Sequence, residues 1–325
     1  MKKSRRSNIS KIFTPQKIYT GALCVIVIAF LFLFGKLFPA KPPVPQSEKI
    51  VPAVYTQLSL QAKSAYVLDA KTGKEIYSFN GETQLPLASL TKVMMAVTSL
   101  SLLPENTIIT IKPEFLTAEG DSGLFGNERW RLKDLLNLTL IESSNDGANA
   151  IAYTAGKQAA AVALSGSGNN SPYNLEQAQF VAEMNRKSQE LGLTQTYFLN
   201  PNGLDENTYI SGGYGSAHDI SKLFSYAISK YPKLFEGTRY NSHEFNSLSS
   251  LKHLVKNTNT VVDKLPSLLA SKTGYTDLAG GNLTIAFDAG PGKPIIISVL
   301  GSTEQGRFDD TEKLLWATID YLNKN

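Results

Sequence analysis

A serine and a lysine stand three residues apart in the stretch LASLTKVMMA, from Leu87 to Ala96. Apolar residues recur there at helical spacing, which predicts Ser89 and Lys92 on one helix face, one turn apart. Backbone N–H groups at the helix start favour negative charge developing near Ser89. An apolar wall can desolvate Lys92 until its amine is neutral near neutral pH. The pair could be nucleophile and base; the alternative is a helix cap beside a lysine whose amine reaches solvent.

A second polar group interrupts an apolar helical pattern in LLNLTLIESSNDGANAIAYTAG, Leu135 to Gly156. The pattern predicts two helical runs with a break near Ser143, Ser144 and Asn145. Polar residues at such a break either point into a cleft or cap the second helix.

The tripeptide Lys-Thr-Gly occurs twice. The first copy lies in DAKTGKE, Asp69 to Glu75, between two alternating apolar runs. That context predicts a hairpin turn, with a positive φ at Gly73 and an exposed Lys71. The second copy, from Lys272, follows LPSLLA and precedes TDLAGGNLTIAF. It is predicted to lie on a strand, where it could meet the two polar groups in a cleft.

The order Ser-x-x-Lys, Ser-x-Asn, Lys-Thr-Gly resembles the penicillin-binding proteins and serine β-lactamases. The flanking text is most similar to the low-molecular-mass D-alanyl-D-alanine carboxypeptidases. The segments that carry this similarity are LASLTKVMMA, DLLNLTLIESSNDGANAIA, FVAEMNRKSQELGLTQTYFLNPNGLD, SAHDISKL and SKTGYTDLAGGNL. The resemblance extends from about residue 62 to the end of the sequence.

The resemblance implies an α+β fold of the β-lactamase/transpeptidase-like type. An antiparallel sheet flanked by helices is built from both ends of the domain, and a mostly helical lobe is inserted between them. Strand signals cluster before residue 82 and after residue 258, with helical patterns between, which agrees with that layering.

By the same resemblance, the activity is acyl transfer on peptidoglycan stem peptides. Ser89 attacks the penultimate D-alanine carbonyl and Lys92 takes its proton. Ser143, helped by Asn145 and Lys272, passes a proton to the departing D-alanine.

The resemblance also implies substrate-binding residues in and beyond the second Lys-Thr-Gly. Thr273 and Arg307 are expected at the terminal carboxylate, which suits charge-assisted hydrogen bonds. Gly274 belongs to the motif, and the N–H of Tyr275 joins that of Ser89 around the oxyanion. β-Lactams are implied as covalent inhibitors, and neither a cofactor nor a metal is implied.

Charge is unevenly distributed along the 325 residues. Residues 1–41 contain eight Lys or Arg and no acid, so the remainder is slightly acidic and the overall +4 does not indicate nucleic-acid binding. The three histidines show no metal-ligand spacing. In SAHDI, His218 stands beside Asp219, and a helix start capped by Ser216 is favoured over a catalytic triad.

The N-terminus predicts export. Residues 1–17 form a basic cytoplasmic segment, and residues 18–38 a transmembrane anchor whose first eighteen residues carry no charge and would span roughly 27 Å. Residues 39–54 are a Pro-rich linker, and 55–325 the peptidase domain outside the cell membrane. The rival interpretation is a cleaved signal peptide and secretion. Cys24, the only cysteine, lies within the anchor.

Three other functions stay open. A D,D-endopeptidase would use the same fold, and a non-catalytic penicillin-binding wall protein would keep it without activity. A serine β-lactamase needs a deacylating base, yet no Glu-x-x-x-Asn string occurs between residues 160 and 260. Residues 157–178 look like an insertion whose SGSGNNSP stretch is predicted to be a surface loop.

Overall fold

The structure is a computed structural model that describes residues 51–120, 123–163 and 172–324. The predicted basic segment, the predicted anchor and residues 39–50 of the predicted linker lie outside the described residues. Within the described ranges, no helix is both long enough and apolar enough to cross a membrane.

The described ranges contain seven α-helices: α1 Ala53–Thr56, α2 Thr91–Leu102, α3 Leu132–Glu142, α4 Asn145–Ala163, α5 Pro172–Glu190, α6 Ala217–Lys230 and α7 Gly306–Lys324. They contain twelve strands: β1 Ser64–Asp69, β2 Glu75–Phe79, β3 Leu85–Pro86, β4 Ile108–Thr110, β5 Arg129–Arg131, β6 Tyr197–Phe198, β7 Gly213–Gly215, β8 Ser242–Asn246, β9 Lys252–Lys256, β10 Leu268–Thr276, β11 Gly280–Asp288 and β12 Pro294–Ser302.

The central sheet is antiparallel and has the strand order β10-β11-β12-β1-β2. Its strands come from the two ends of the described chain, and β1 pairs with β12, which confirms the predicted α+β layering. In this order β10 is an edge strand, so the backbone groups on one of its sides are not paired with another strand of this sheet.

Alternate residues of the same strands enter two different hydrophobic cores. Leu68 and Ile296 face α2, α6 and the helical lobe, whereas Val67 and Ile297 face α1 and α7. Successive side chains of a strand point to opposite faces, so a sheet covered on both faces needs apolar residues at nearly every position. The strand that carries the second Lys-Thr-Gly also contributes Ala270 to the core on the α2 side.

The inserted lobe is built mainly from α2 to α5, as predicted. It also contains the β4–β5 and β8–β9 pairs, which lie in the region where the sequence pattern indicated helices. A third small sheet, β3-β7-β6, pairs Leu85 and Pro86 with Gly215 and Tyr214, and so fixes the chain just before Ser89.

Two predicted segments, the linker and the insertion, overlap with helices of the structure. α1 begins at Ala53, inside the predicted linker, and buries Tyr55 against the second core. In the predicted insertion, residues 157–163 continue α4 and residues 172–178 begin α5, while 164–171 lie outside the described residues.

Candidate active site

Ser89 lies in a single 3-10 turn, Ala88–Leu90, that leads directly into α2. Ala88 has φ +48°, a left-handed conformation that is rare for a side-chain-bearing residue. Two glycines make room for this turn. A Cβ on Gly203 would lie 2.0 Å from the Ala88 carbonyl oxygen, and one on Gly274 would lie 3.1 Å from the Ser89 nitrogen. The turn is therefore held between a loop and strand β10.

The amine of Lys92 has three hydrogen-bond partners. Its Nζ lies 2.8 Å from Ser89 Oγ, 2.7 Å from Asn145 Oδ1 and 2.7 Å from the carbonyl oxygen of Asn202. An amide oxygen and a backbone carbonyl can only accept hydrogen bonds. A neutral amine would donate its two hydrogens to those oxygens, and its lone pair would then point at the Ser89 hydroxyl. The predicted pairing of Ser89 with Lys92 is present.

The surroundings of Lys92 favour the neutral amine. Its side chain is completely buried, and this burial, together with the nearby charge of Lys272, lowers its pKa well below the usual value for lysine. The geometry and the lowered pKa together fit a general base that acts on Ser89.

The predicted break between two helices falls at Ser143. α3 ends at Glu142, Ser143 is left-handed with φ +66°, and α4 begins at Asn145. Ser144 performs the capping role, because its Oγ accepts a hydrogen bond of 2.9 Å from the Gly147 N–H. The Ser143 hydroxyl is thus left to face the cleft.

Asn145 is fixed at both ends of its side-chain amide. Its Oδ1 accepts from Lys92, and its Nδ2 donates to the Glu119 carbonyl oxygen at 2.6 Å. The first contact needs the oxygen and the second needs the nitrogen, so the orientation of the amide is determined by its partners.

Lys272 lies on strand β10, as predicted, and its Nζ donates to Ser143 Oγ and to the Thr273 carbonyl oxygen, both at 2.9 Å. The side chain is buried. Burial and the neighbouring charge of Arg307 lower the pKa of Lys272 to about 7. Lys272 can therefore change its charge near neutral pH while it contacts Ser143.

One edge of β10 is not paired with another strand of the central sheet. The Ser271 N–H points away from β11 and donates to Thr238 Oγ1 at 2.9 Å. Backbone groups alternate in direction along a strand, so the N–H groups of Thr273 and Tyr275 point to the same open edge. Tyr275 itself is partly exposed, next to the end of the Lys-Thr-Gly motif.

Arg307 is buried at the start of α7, where its Nη1 donates to the Gly274 carbonyl oxygen at 2.9 Å. The guanidinium also packs over the ring of Phe308. The structure thus brings Arg307 to the Lys-Thr-Gly strand.

Two residues of the site were not among the predicted ones. The backbone carbonyl of Asn202 accepts from Lys92, and Thr258 Oγ1 lies 2.5 Å from Thr273 Oγ1. Asn202 belongs to the segment FLNPNGLD, which carried part of the family resemblance, but a backbone acceptor has no residue-type signature. Thr258 stands in a loop without any recognisable motif.

The remaining candidate residues have structural roles. The first Lys-Thr-Gly copy forms the β1–β2 turn, where Asp69 Oδ1 accepts from the Lys71 and Thr72 N–H groups and Gly73 has φ +71°. Ser216 Oγ accepts from the Asp219 N–H at 3.1 Å, which confirms the predicted helix cap.

Cavity volume alone does not identify the site. A cavity of about 770 Å³ is lined by Lys71 and Ala270 among others, and none of the predicted catalytic residues lines it. A smaller cavity of about 360 Å³ opens beside Tyr275, Leu204 and Asp205. Among the described residues, no group of His, Cys, Asp and Glu could hold a metal ion.

Comparison with known proteins identifies relatives of this chain. The family model described as D-alanyl-D-alanine carboxypeptidase matches residues 51–304. The carboxypeptidase DacF of Bacillus subtilis is 29% identical over 267 residues, which are 80% of this chain and 62% of DacF. A D-alanyl-D-alanine endopeptidase of Pseudomonas aeruginosa is 28% identical over 79% of this chain and 77% of its own length.

Solved structures share the fold. A penicillin-binding protein of Listeria monocytogenes, in its ampicillin-bound form, aligns with a TM-score of 0.65 and 27% identity, over 80% of this chain and 98% of that one. The present chain spans less than two thirds of the length of DacF.

Proposed function

Because the chain belongs to the D-alanyl-D-alanine carboxypeptidase family, we propose that it removes the terminal D-alanine from peptidoglycan stem peptides through an acyl-enzyme on Ser89. The observation that carries this proposal is that Lys92 Nζ lies 2.8 Å from Ser89 Oγ. Its two other partners, Asn145 Oδ1 and the Asn202 carbonyl oxygen, can only accept hydrogen bonds. Among the partners of Lys92 in the described ranges, the serine hydroxyl is the one left for the lone pair of the neutral amine.

Acylation follows from this arrangement. Lys92 takes the hydroxyl proton as Ser89 Oγ attacks the carbonyl carbon of the penultimate D-alanine. The carbonyl oxygen becomes an oxyanion, and the N–H groups of Ser89 and Tyr275 lie on the two elements that meet at the nucleophile. The oxyanion is thereby stabilised by groups that need no reorganisation.

The departing D-alanine needs a proton on its nitrogen. Ser143 can give its proton to that nitrogen and take the proton that Lys92 removed from Ser89, so Lys92 becomes neutral again. Lys272 keeps its own proton and positions the Ser143 hydroxyl through their hydrogen bond of 2.9 Å. The C–N bond then breaks, D-alanine leaves, and a water molecule activated by Lys92 hydrolyses the ester on Ser89. The positive charges of Lys272 and Arg307, near Thr273, suit the terminal carboxylate of the substrate.

The first test is the intact mass of the full chain after incubation with a penicillin. We expect one stable adduct on the wild type and none on Ser89→Ala. Release of D-alanine from an acetylated L-Lys-D-Ala-D-Ala peptide by the wild type, and not by Ser89→Ala, would then support the carboxypeptidase activity. A protein that forms no adduct and leaves the penicillin intact would contradict the proposal, whereas consumption of free penicillin would indicate a β-lactamase.

A second candidate is a D,D-endopeptidase, favoured by the similarity to the Pseudomonas aeruginosa protein named as one. Both activities cleave the bond after a D-alanine carbonyl, and they differ in the leaving group. Digestion of a cross-linked stem-peptide dimer beside the uncross-linked pentapeptide distinguishes them. Faster cleavage of the dimer would assign the endopeptidase.

We also propose that residues 18–38 anchor the chain in the bacterial cell membrane, with the peptidase domain on the outer side. Eighteen uncharged residues preceded by six Lys or Arg support this orientation. Retention in the membrane fraction after carbonate extraction, with the domain accessible to added protease in spheroplasts, is the expected result. Recovery of a shortened soluble chain in the medium would instead indicate a cleaved signal peptide.

A further inference from the structure

The Thr273 hydroxyl has a side-chain hydrogen-bond partner on another segment of the described chain. This partner is the hydroxyl of Thr258, and the two oxygens lie 2.5 Å apart. Thr273 is buried on β10 and Thr258 is half-buried in the loop after β9. A distance of 2.5 Å is at the short end for hydrogen-bonded hydroxyls, so a hydrogen must lie between the two oxygens.

The loop around Thr258 is fixed to the same framework as β10. The Asn257 side chain donates to the carbonyl oxygens of Thr238 and Tyr240, at 2.8 and 2.9 Å. Thr238 in turn accepts from the Ser271 N–H through its hydroxyl. Thr238 thus contacts both segments, and Thr258 cannot move away from Thr273 without breaking several hydrogen bonds.

The two hydroxyl hydrogens can be ordered in two ways. In the first, Thr273 donates to Thr258, which donates to the Ile141 carbonyl oxygen at a long 3.4 Å. In the second, Thr258 donates to Thr273, and the Thr273 hydrogen is free to enter the cleft. The Ile141 carbonyl also accepts from the Thr258 N–H at 3.2 Å, so it keeps a donor in either case.

Substrate binding selects the second order. A carboxylate only accepts hydrogen bonds, so Thr273 must use its single hydrogen to bind one. The hydrogen between the two threonine oxygens must then come from Thr258. We propose that Thr258 is a positioning residue, whose hydroxyl donates to Thr273 and directs the Thr273 hydrogen toward the terminal carboxylate of the substrate. This inference rests on the proposed function.

The test compares two ligands of the full chain that differ only at the C-terminus. One is an acetylated L-Lys-D-Ala-D-Ala peptide, for which KM and kcat are measured. The other is its C-terminal amide, measured as an inhibitor of that hydrolysis, so that binding is obtained whether or not the amide is cleaved. Thr258→Val keeps the shape and removes the hydroxyl. We expect it to raise KM for the acid about three- to tenfold and to leave kcat and the inhibition constant of the amide within about twofold.

Two variants serve as controls. Thr258→Ser restores a hydroxyl and should recover wild-type KM, whereas Thr260→Val, at an exposed position two residues along, should leave it unchanged. Equal loss for the acid and the amide, or no rescue by serine, would overturn the assignment of Thr258. A wild type that releases no D-alanine and forms no penicillin adduct would overturn the proposed function instead, so the two failures differ.

Discussion

At the scale of single residues, the site depends on two lysines in different environments. Lys92 is surrounded by oxygens on three sides and its burial favours the neutral amine. Lys272 contacts Ser143, and its burial, together with the smaller effect of the charge of Arg307, lowers its pKa to about 7. Environments that push the pKa values of neighbouring groups away from their ordinary range are typical of catalytic sites. These two lysines can therefore divide the roles of base and electrostatic partner.

Lys92→Ala should reduce the rate of acylation by a penicillin about 10²- to 10⁴-fold, since it removes the proposed general base. The rate of adduct formation is measured by intact mass, with thermal unfolding as the check on folding. Lys71→Ala is the matched control, because Lys71 lies in the other Lys-Thr-Gly copy on an exposed turn. A Lys92→Ala protein with a near wild-type rate at pH 7 would exclude Lys92 as the base.

Arg307→Gln should raise the pKa of Lys272, because it removes a like charge that disfavours the ammonium. Protonated Lys272 attracts the substrate carboxylate, so acylation should decline as pH rises through about 7 in the wild type. In Arg307→Gln this decline, the alkaline limb of the pH profile, should move to higher pH. The maximal rate should be lower, because the variant also loses a positive charge near the substrate carboxylate. Arg307→Lys keeps the charge, so its acylation rate should decline at the same pH as that of the wild type.

The measurement is the second-order rate of penicillin acylation as a function of pH, between about pH 5 and 9. The acid limb reports protonation of the proposed base Lys92, whose lowered pKa keeps it neutral down to lower pH than an ordinary lysine. An alkaline limb with the same midpoint in Arg307→Gln and wild type would show that Arg307 does not control the charge of Lys272.

At the scale of elements, three backbone features bring the motifs together: the turn at Ala88, the break at Ser143 and the open edge of β10. The helix containing Lys92, the helix break and the strand were predictable because their patterns are local. The positive φ at Ala88 was not, because alanine gives no sign of a left-handed conformation. The acceptor on Asn202 was missed for a similar reason, since every residue has a carbonyl.

Gly203→Ala tests whether the turn at Ala88 needs the loop that packs against it. Gly203 has φ +84°, and a Cβ there would lie 2.0 Å from the Ala88 carbonyl oxygen. We expect a loss of stability of about 1–2 kcal/mol or more from the left-handed strain alone. We also expect acylation at least about tenfold slower, because Ser89 is displaced relative to Lys92.

The matched control is Gly73→Ala in the β1–β2 turn. Gly73 has a similar φ of +71°, but a Cβ there would meet no atom of the described residues within 4 Å beyond its chain neighbours. This variant should lose stability through strain and keep the wild-type acylation rate. If both variants lowered acylation equally, the effect would come from general destabilisation and not from the contact with Ala88.

At the scale of the whole molecule, one sheet separates the catalytic side from a second core. The layering was predictable because strand and helix signals occupy different stretches of the chain. The β4–β5 and β8–β9 pairs within the lobe were not predictable, because all four strands are short and largely exposed. The partnership of Thr258 with Thr273 depends on long-range packing between a loop and a strand, which no local pattern specifies. The sequence therefore predicts which helix or strand carries each motif, but it does not predict which residues of distant segments contact that motif.

Tyr55 shows how the second core joins the two ends of the described chain. Its ring stacks on Tyr77 at 4.4 Å between centroids, and its hydroxyl donates to Thr318 Oγ1 at 3.0 Å. Both contacts lie on the α7 side of the sheet, opposite α2. Tyr55→Ala should lower the free energy of unfolding by about 3 kcal/mol or more, because it leaves a large cavity.

Tyr55→Phe keeps the ring and removes only one hydrogen bond, so its loss should be about 1 kcal/mol. Both variants should acylate at the wild-type rate under conditions where they are folded, since the sheet lies between Tyr55 and Ser89. Unfolding is followed by urea denaturation and acylation by intact mass. Slower acylation by folded Tyr55→Ala would mean that the second core transmits changes through the sheet to β10, and the two sides would then have to be treated as one coupled unit.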